Sequence, residues 1–241
     1  MTYELYYWPS IPGRGEFVRL ALEECGAEYV DVARSSQPAG VQAMMRLLED
    51  PTIAHRPFAP PFLRAGTLLI GQTPNILRYL GGRHGLAPRD EGGELWTQQL
   101  QLTLADLLVE AHDTHHPIAS GLYYEDQKAE ARRRAVDFLG TRLPKFLGYF
   151  ETVLERNPAG PEYLSGASLT YVDLSMFQMI EGLRYGFPKA MARLAPRIPK
   201  LLALHDRVRQ RPRITAYLAS PRWLPCNEQG IFRHYPELDA P

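Results

Sequence analysis

The chain is poor in cysteine, has no net charge and lacks a long apolar run, and each shortage removes a class of protein. Its two cysteines, Cys25 and Cys226, stand far apart in 241 residues, which is not the pattern of a disulfide scaffold. Lys+Arg 27 balance Asp+Glu 27, so there is no net field to attract phosphates and nucleic acid is not an expected partner. No apolar run reaches the length of a membrane span. Met1-Thr2-Tyr3-Glu4 lacks the basic region and apolar core of a secretory leader. The expectation is a soluble cytoplasmic protein with no membrane partner. Metal ligands are sparse as well. His112 and His116 have a four-residue spacing that metals use, but Pro117 follows at once and no further ligand is legible, so a polar helix end is expected and no metal.

Strand signals are confined to the first third of the chain. Residues 3–8 alternate as a strand, with Tyr3, Leu5 and Tyr7 on one face and Glu4, Tyr6 and Trp8 on the other. Residues 13–25 have helical spacing, with Phe17, Leu20 and Ala21 on one face and Gly26 as a stop. Residues 29–32 read as a second strand. The stretch 33–59 is the least legible, with a helix over 42–49 between loops at 34–40 and 51–57. Leu68-Leu69-Ile70 reads as a short buried strand that the turn residues Arg64-Ala65-Gly66-Thr67 fold back on Phe62-Leu63. Thr73 then stands at a helix N-cap and Pro74 at the first helical position, ahead of Ile76, Leu77 and Leu80. From Glu94 onward only helical patterns occur, over roughly 94–119, 128–156, 170–185, 198–209 and 213–219. That segregation predicts a first domain over 1–83, a linker over 84–93 and a helical domain over 94–241.

Two stretches carry chemistry. A capped helix start at Thr73 offers free N–H groups and the positive end of a dipole to a carboxylate. Pro60-Pro61 opens the preceding strand. Proline belongs at strand starts and edges, and a cis X-Pro bond there would turn backbone groups toward a ligand that pairs like an added strand, a plain polyproline entry into the strand being the alternative. Upstream, Tyr6-Tyr7-Trp8-Pro9-Ser10-Ile11-Pro12-Gly13-Arg14 is a strand breaking into a loop before a helix.

In this order and spacing the motifs resemble the glutathione transferase family. The resemblance spans roughly residues 3–222. The family's strand-opening proline matches Pro61, its Gln-Ser pair matches Gln72-Thr73, and its Tyr-aromatic-Pro loop matches Tyr7-Trp8-Pro9. Ser168-Leu169-Thr170-Tyr171-Val172-Asp173 resembles the family's capping box, with Thr170 as cap and Asp173 as reciprocal partner. The resemblance implies an α+β protein, with a thioredoxin-like N-terminal domain followed by an all-α C-terminal helical domain.

It also implies roles. Tyr7 resembles the tyrosine of the mu, pi and sigma classes that donates a hydrogen bond to the glutathione sulfur and so favours the thiolate. Ser10 is the rival, because other classes place a serine in this loop, and an ordinary strand aromatic is the alternative for Tyr7. Arg14 aligns with a supporting arginine. Pro60, Pro61, Gln72 and Thr73 match peptide-binding positions. Asp106 falls where related classes reach the partner subunit's peptide, which implies a homodimer. Trp8, Tyr123, Tyr124 and Trp223 are candidates for an apolar electrophile site, with Phe232 and Tyr235 beside them. The chain also departs from the family. Pro60 has no N–H where two backbone bonds are usual, and Ala59 replaces a polar residue. No lysine precedes Lys128, leaving Arg46, Arg34, His55 or Arg56 for the glycyl carboxylate. The implied activity is conjugation of glutathione, as co-substrate, to an apolar electrophile. A glutathione-dependent isomerase or peroxidase, or a non-catalytic binding protein of this fold, are the alternatives.

Overall fold

The computed structural model describes residues 1–35 and 39–239. The N-terminal part runs β1 (Tyr3–Tyr6), α1 (Gly13–Cys25), β2 (Tyr29–Asp31), α2 (Ala39–Glu49), β3 (Phe62–Ala65), β4 (Leu68–Gly71) and α3 (Thr73–His84). The four strands form one sheet in the order β2-β1-β3-β4. β1 is parallel to β2 and antiparallel to β3, and β3 is antiparallel to β4. A parallel βαβ unit followed by a hairpin and a helix is the thioredoxin-like arrangement expected.

β1 ends at Tyr6, two residues before its expected end. Tyr6 pairs with Phe62, and the next residue back along β3 is Pro61, which has no N–H to extend the ladder. The Pro60–Pro61 peptide bond is cis. Strand alternation sends Tyr3 and Leu5 into the main core with α1 and α3. Tyr6 points to the other face, where Met44 of α2 and Phe62 enclose it and the Tyr6 and Phe62 rings stack at 4.7 Å.

Three local expectations are corrected. α2 begins at Ala39 rather than 42; of the loop expected over 34–40, Ser36, Gln37 and Pro38 lie outside the described residues. Leu68 in β4 is 50% exposed, because β4 is the sheet edge. Thr73 is the first residue of α3, and Gln72 takes the cap position with φ 67°. The Gln72 carbonyl already accepts the Ile76 N–H at 2.9 Å, so the helix starts one residue earlier than the Thr73-Pro74 pattern implies.

The second part is all helical: α4 (Glu91–Asp113), α5 (Lys128–Asp137), α6 (Leu143–Arg156), α7 (Tyr171–Gly186), α8 (Pro188–Leu194), α9 (Pro199–Arg209) and α10 (Pro212–Leu218). α4 starts ahead of the expected 94 because Asp90 caps it, its Oδ1 accepting the Gly93 N–H at 2.8 Å. It stops at Asp113, six residues short of the expected end and ahead of Pro117. The expected helix over 128–156 is interrupted by a widened π turn at Phe138–Arg142. Pro144 sits in the next turn, and its missing N–H breaks the regular ladder there. α8 was not expected; its proline-led start hides it among loop signals.

α7 is the core of this half and packs against α1, α4 and α9. Its N-terminus is fixed by buried Asp173. The Asp173 Oδ2 accepts the Thr170 N–H at 2.7 Å and the Thr170 hydroxyl at 2.9 Å, and Oδ1 accepts the Leu164 N–H at 2.8 Å. The two halves meet where α1 packs on α7 and α10, and α3 on α4. No helix of the described residues is long and apolar enough to cross a membrane.

Candidate active site

The site is assembled at the start of α1, below the end of β1. Tyr7 follows β1 and is 4% exposed. Its hydroxyl oxygen accepts the Arg14 backbone N–H at 2.9 Å. Two glycines make this approach possible. A Cβ on Gly13 would lie 2.1 Å from the Tyr7 Oη, and one on Gly15 would lie 2.5 Å from Tyr7 Cδ1. Gly13 also has φ 44°, a conformation that side chains disfavour. The helix start therefore lies directly against the phenol ring.

Burial pushes the Tyr7 phenol above its ordinary pKa, opposed by the Arg14 N–H and by the Arg14 and Arg19 charges. The phenol is neutral at pH 7 and keeps its proton. With a lone pair occupied by the Arg14 N–H, its O–H is free to donate outward. Beneath the ring the Arg19 guanidinium lies 5.8 Å from the centroid. Arg19 is fully buried, with Nε on Asp31 Oδ2 at 2.7 Å and Nη1 on Glu16 Oε2 at 3.1 Å. The same Nη1 donates to the Pro12 carbonyl at 3.3 Å, tying down the loop before α1. Tyr217 of α10 completes the chain, donating to Glu16 Oε1 at 2.8 Å.

Beside the start of α1 is a cleft of about 290 Å³ between the two halves. Arg14, Gln72 and Thr73 line one wall, and Gln101, Ala105 and Leu108 of α4 line the other. The Thr73 hydroxyl donates to the Arg14 carbonyl at 3.5 Å, the outer limit of a hydrogen bond. The N-terminus of α3 and the Arg14 side chain give this cleft positive character, suited to a carboxylate.

The remaining candidates are dispersed. Ser10 is exposed in a turn, and its carbonyl accepts the Asn227 amide at 2.9 Å, so the C-terminal tail is tied to the loop after Tyr7. Pro61 is buried and Pro60 half-buried at the start of β3. Asp106 is exposed on α4, between Leu102 at 51% and Val109 at 47% exposure. Arg46 is exposed at the end of α2, as are His55 and Arg56 in the following loop. Arg34 is committed elsewhere, donating to the Arg222 carbonyl at 2.6 Å.

The aromatic candidates do not share one cavity. Trp8 is 39% exposed and Tyr123 77% exposed. Tyr124 is buried, stacked on Tyr235 at 3.8 Å and donating to Glu237 at 2.9 Å. Trp223 lines a separate cavity of about 230 Å³ with Phe177, Tyr185 and Cys226. Tyr124, Phe232 and Tyr235 serve to dock the tail: Phe232 is buried against Gly182, where a Cβ would meet its ring at 2.1 Å.

At the end of α4 the histidines close on each other. His112 and His116 stack at 5.0 Å. His115 donates from Nε2 to the Ile231 carbonyl at 2.8 Å, and its Nδ1 meets the Nδ1 of His116. Burial, with help from the Arg233 charge, pushes His115 down to about 3 and His116 down to about 4.

Gly13, Gly15, Arg19, Gln101 and Asn227 were not singled out from the sequence. The Gly-Arg-Gly spacing around Arg14 was a usable sign of close approach. Arg19 gave none, since an arginine on a helix ordinarily reads as solvated.

A thioredoxin-like unit is joined to a helical one, with a buried tyrosine hydroxyl and an arginine-lined cleft at their junction. Known proteins share this arrangement. Residues 112–221 match the model of the glutathione S-transferase C-terminal domain. The chain is 25% identical over 223 residues to a glutathione S-transferase of Plasmodium falciparum (isolate 3D7), covering 90% of this chain and 94% of that protein. It is 26% identical over 231 residues to glutathione S-transferase P of Bos taurus, covering 95% and 98%. The solved structure of prostaglandin synthase D of Nilaparvata lugens superposes with a TM-score of 0.71 at 21% identity, covering 93% of this chain and all of that one, and so shares the fold. The chain is thus similar along most of its length to glutathione S-transferases, and its residues 112–221 match their C-terminal domain.

Proposed function

We propose that this protein binds glutathione in the cleft beside α1 and α3 and joins it through its sulfur to an apolar electrophile, with Tyr7 stabilising the thiolate. The observation that carries this is the state of Tyr7. Its phenol is buried and neutral, its oxygen is held by the Arg14 N–H, and its own proton has no acceptor among the described residues. A thiol becomes a nucleophile as thiolate, and a free thiol has a pKa of about 8.5. A fixed O–H donating to the sulfur favours the anion, and the N-terminus of α1 adds positive potential.

The γ-glutamyl carboxylate sits at the N-terminus of α3, near Thr73 and Arg14. Pro60 offers only its carbonyl to the peptide backbone, and Arg46, His55 and Arg56 are the cations left for the glycyl carboxylate. In the reaction, the thiolate sulfur forms a bond to an electron-poor carbon. Either a leaving group departs with its electron pair, or a double bond takes up the electrons and then a proton from water. Trp8, which follows Tyr7 and is exposed, receives the apolar body, and the protein acts as a homodimer in the cytoplasm.

Retention on immobilised glutathione, followed by conjugation assays over aryl halides and enones, tests this. Retention and turnover support it. Retention without turnover of any electrophile would leave a binding protein, and failure to retain would remove glutathione as the ligand.

A further inference from the structure

Gln101 is a polar side chain in an apolar wall. It lies on α4 and is 2% exposed, between Leu100 at 0% and Leu104 at 1%. Its Oε1 is buried without a hydrogen-bond partner. A buried amide carbonyl left unpaired is destabilising, so such a group calls for a partner that satisfies it. Gln101 also lines the 290 Å³ cleft that holds Arg14, Gln72 and Thr73. Ala105, one turn further along α4, lines the same cleft, and its short side chain leaves the amide uncovered on that side.

The two walls of the cleft have opposite chemistry. On the wall formed by α1 and α3, the Arg14 charge and the free N–H groups at the start of α3 attract an anion. On the α4 wall, Gln101 contributes a carbonyl that accepts and an NH₂ that donates, on a terminal bond whose rotation presents either end. The nearest carboxylate on α4, Asp106, lies on the exposed face, and the other α4 residues of the wall, Leu102, Leu104, Ala105, Leu108 and Val109, are apolar. A ligand group that is cationic, small and next to a carboxylate matches this arrangement. That is the free α-amino acid end of a γ-linked glutamyl peptide: carboxylate toward α3, ammonium toward Gln101.

We propose that Gln101 is a specificity residue of the glutathione site, accepting a hydrogen bond through its side-chain carbonyl from the γ-glutamyl ammonium of the bound peptide. The proposal rests on glutathione being the ligand of this cleft. It assigns to the helical domain of the same subunit a role in choosing peptides that carry a free amino group. Burial supports the assignment twice. The amide costs the empty protein an unpaired acceptor, and the ammonium–carbonyl bond forms out of water, where a charge-assisted bond is strongest.

The test is a calorimetric titration of wild type, Gln101→Leu and Gln101→Glu with two ligands: glutathione, and glutaryl-cysteinylglycine, which lacks only the amino group. Wild type is expected to bind glutathione at least tenfold more tightly than the desamino peptide. Gln101→Leu is expected to lose roughly tenfold or more for glutathione while its affinity for the desamino peptide is unchanged. Gln101→Glu is expected to retain or strengthen glutathione binding, since a carboxylate replaces the carbonyl opposite the ammonium. Equal losses for both ligands in Gln101→Leu would make Gln101 a packing residue and overturn the proposal, as would no loss at all. Should Gln101→Leu fail to fold, the ligand preference of Gln101→Glu decides: loss of the preference for glutathione over the desamino peptide overturns it. Wild type binding neither peptide would instead remove the glutathione reading itself.

Discussion

The Arg14 backbone N–H donates to the Tyr7 hydroxyl oxygen at 2.9 Å, so the first turn of α1 and the phenol form one unit. The bond fixes the hydroxyl with its proton directed away from the helix. It also requires the backbone of Gly13 and Gly15 to lie where side chains would otherwise collide with the ring. The bond holds the hydroxyl oxygen in place, and the close backbone of Gly13 and Gly15 confines the ring.

Gly15→Ala tests that packing directly. A Cβ would lie 2.5 Å from Tyr7 Cδ1 and 2.7 Å from Cγ, and no left-handed conformation complicates the substitution, unlike Gly13. Overpacking of this kind typically costs about 1–3 kcal/mol. Urea denaturation should show that loss, with glutathione conjugation falling in the folded protein because the phenol is displaced. Unchanged stability and activity would mean the ring is free to move aside.

Thr73→Ala separates ligand binding from helix capping. Gln72, not Thr73, occupies the cap of α3, and the Thr73 hydroxyl has only a long contact to the Arg14 carbonyl. The stability change is therefore expected to stay below the ~1 kcal/mol typical of a lost cap. Glutathione affinity should fall about tenfold or more, as for a hydrogen bond to a charged group, and Thr73→Ser should restore most of it. Loss of stability without loss of affinity would make Thr73 structural.

The histidine cluster predicts acid sensitivity. His115 is held down to about 3 in the folded protein by burial, with the Arg233, His112 and His116 charges acting in the same direction. An unfolded histidine takes up its proton near 6.5. Between those values the unfolded chain holds more protons than the folded one, so stability is present above about pH 6.5 and is lost as pH falls. One excluded proton gives a slope of at most about 1.4 kcal/mol per pH unit. Urea midpoints between pH 7 and pH 5 should fall more steeply for wild type than for His115→Gln. Parallel slopes would place the acid-sensitive group elsewhere.

Much of this architecture could be read from the sequence because its signals were local. The β1–α1 alternation, the hairpin around Gly66 and the Thr170–Asp173 cap each depend on residues close in the chain. Element ends were misplaced where a tertiary or backbone constraint decided them. Pro61, on the neighbouring strand, ended β1 early, Pro144 widened the turn between α5 and α6, and Gln72 took a left-handed conformation that only the fold imposes. The site was half legible. Tyr7 and Arg14 lie in one short stretch and Thr73 in a local helix-start pattern, whereas Gln101 and Asn227 matter only through groups distant in sequence, and Arg19 through a burial that its local spacing does not reveal. The electrophile wall was the least legible part, since an aromatic that docks the tail, such as Tyr124 against Tyr235, has the same sequence signature as one that lines a pocket.

The central claim is that Tyr7 stabilises a thiolate, and titrating bound glutathione in wild type and Tyr7→Phe by the ultraviolet absorbance of the thiolate tests it most directly. In wild type the bound thiol should ionise below the ~8.5 of a free thiol. In Tyr7→Phe it should rise by about 1–2 units, the worth of one hydrogen bond to a charged group, with conjugation slowed roughly tenfold to a hundredfold. The same thiol titration in both proteins, with glutathione bound to each, would contradict the account, and a shift appearing only in Ser10→Ala would transfer the role to Ser10.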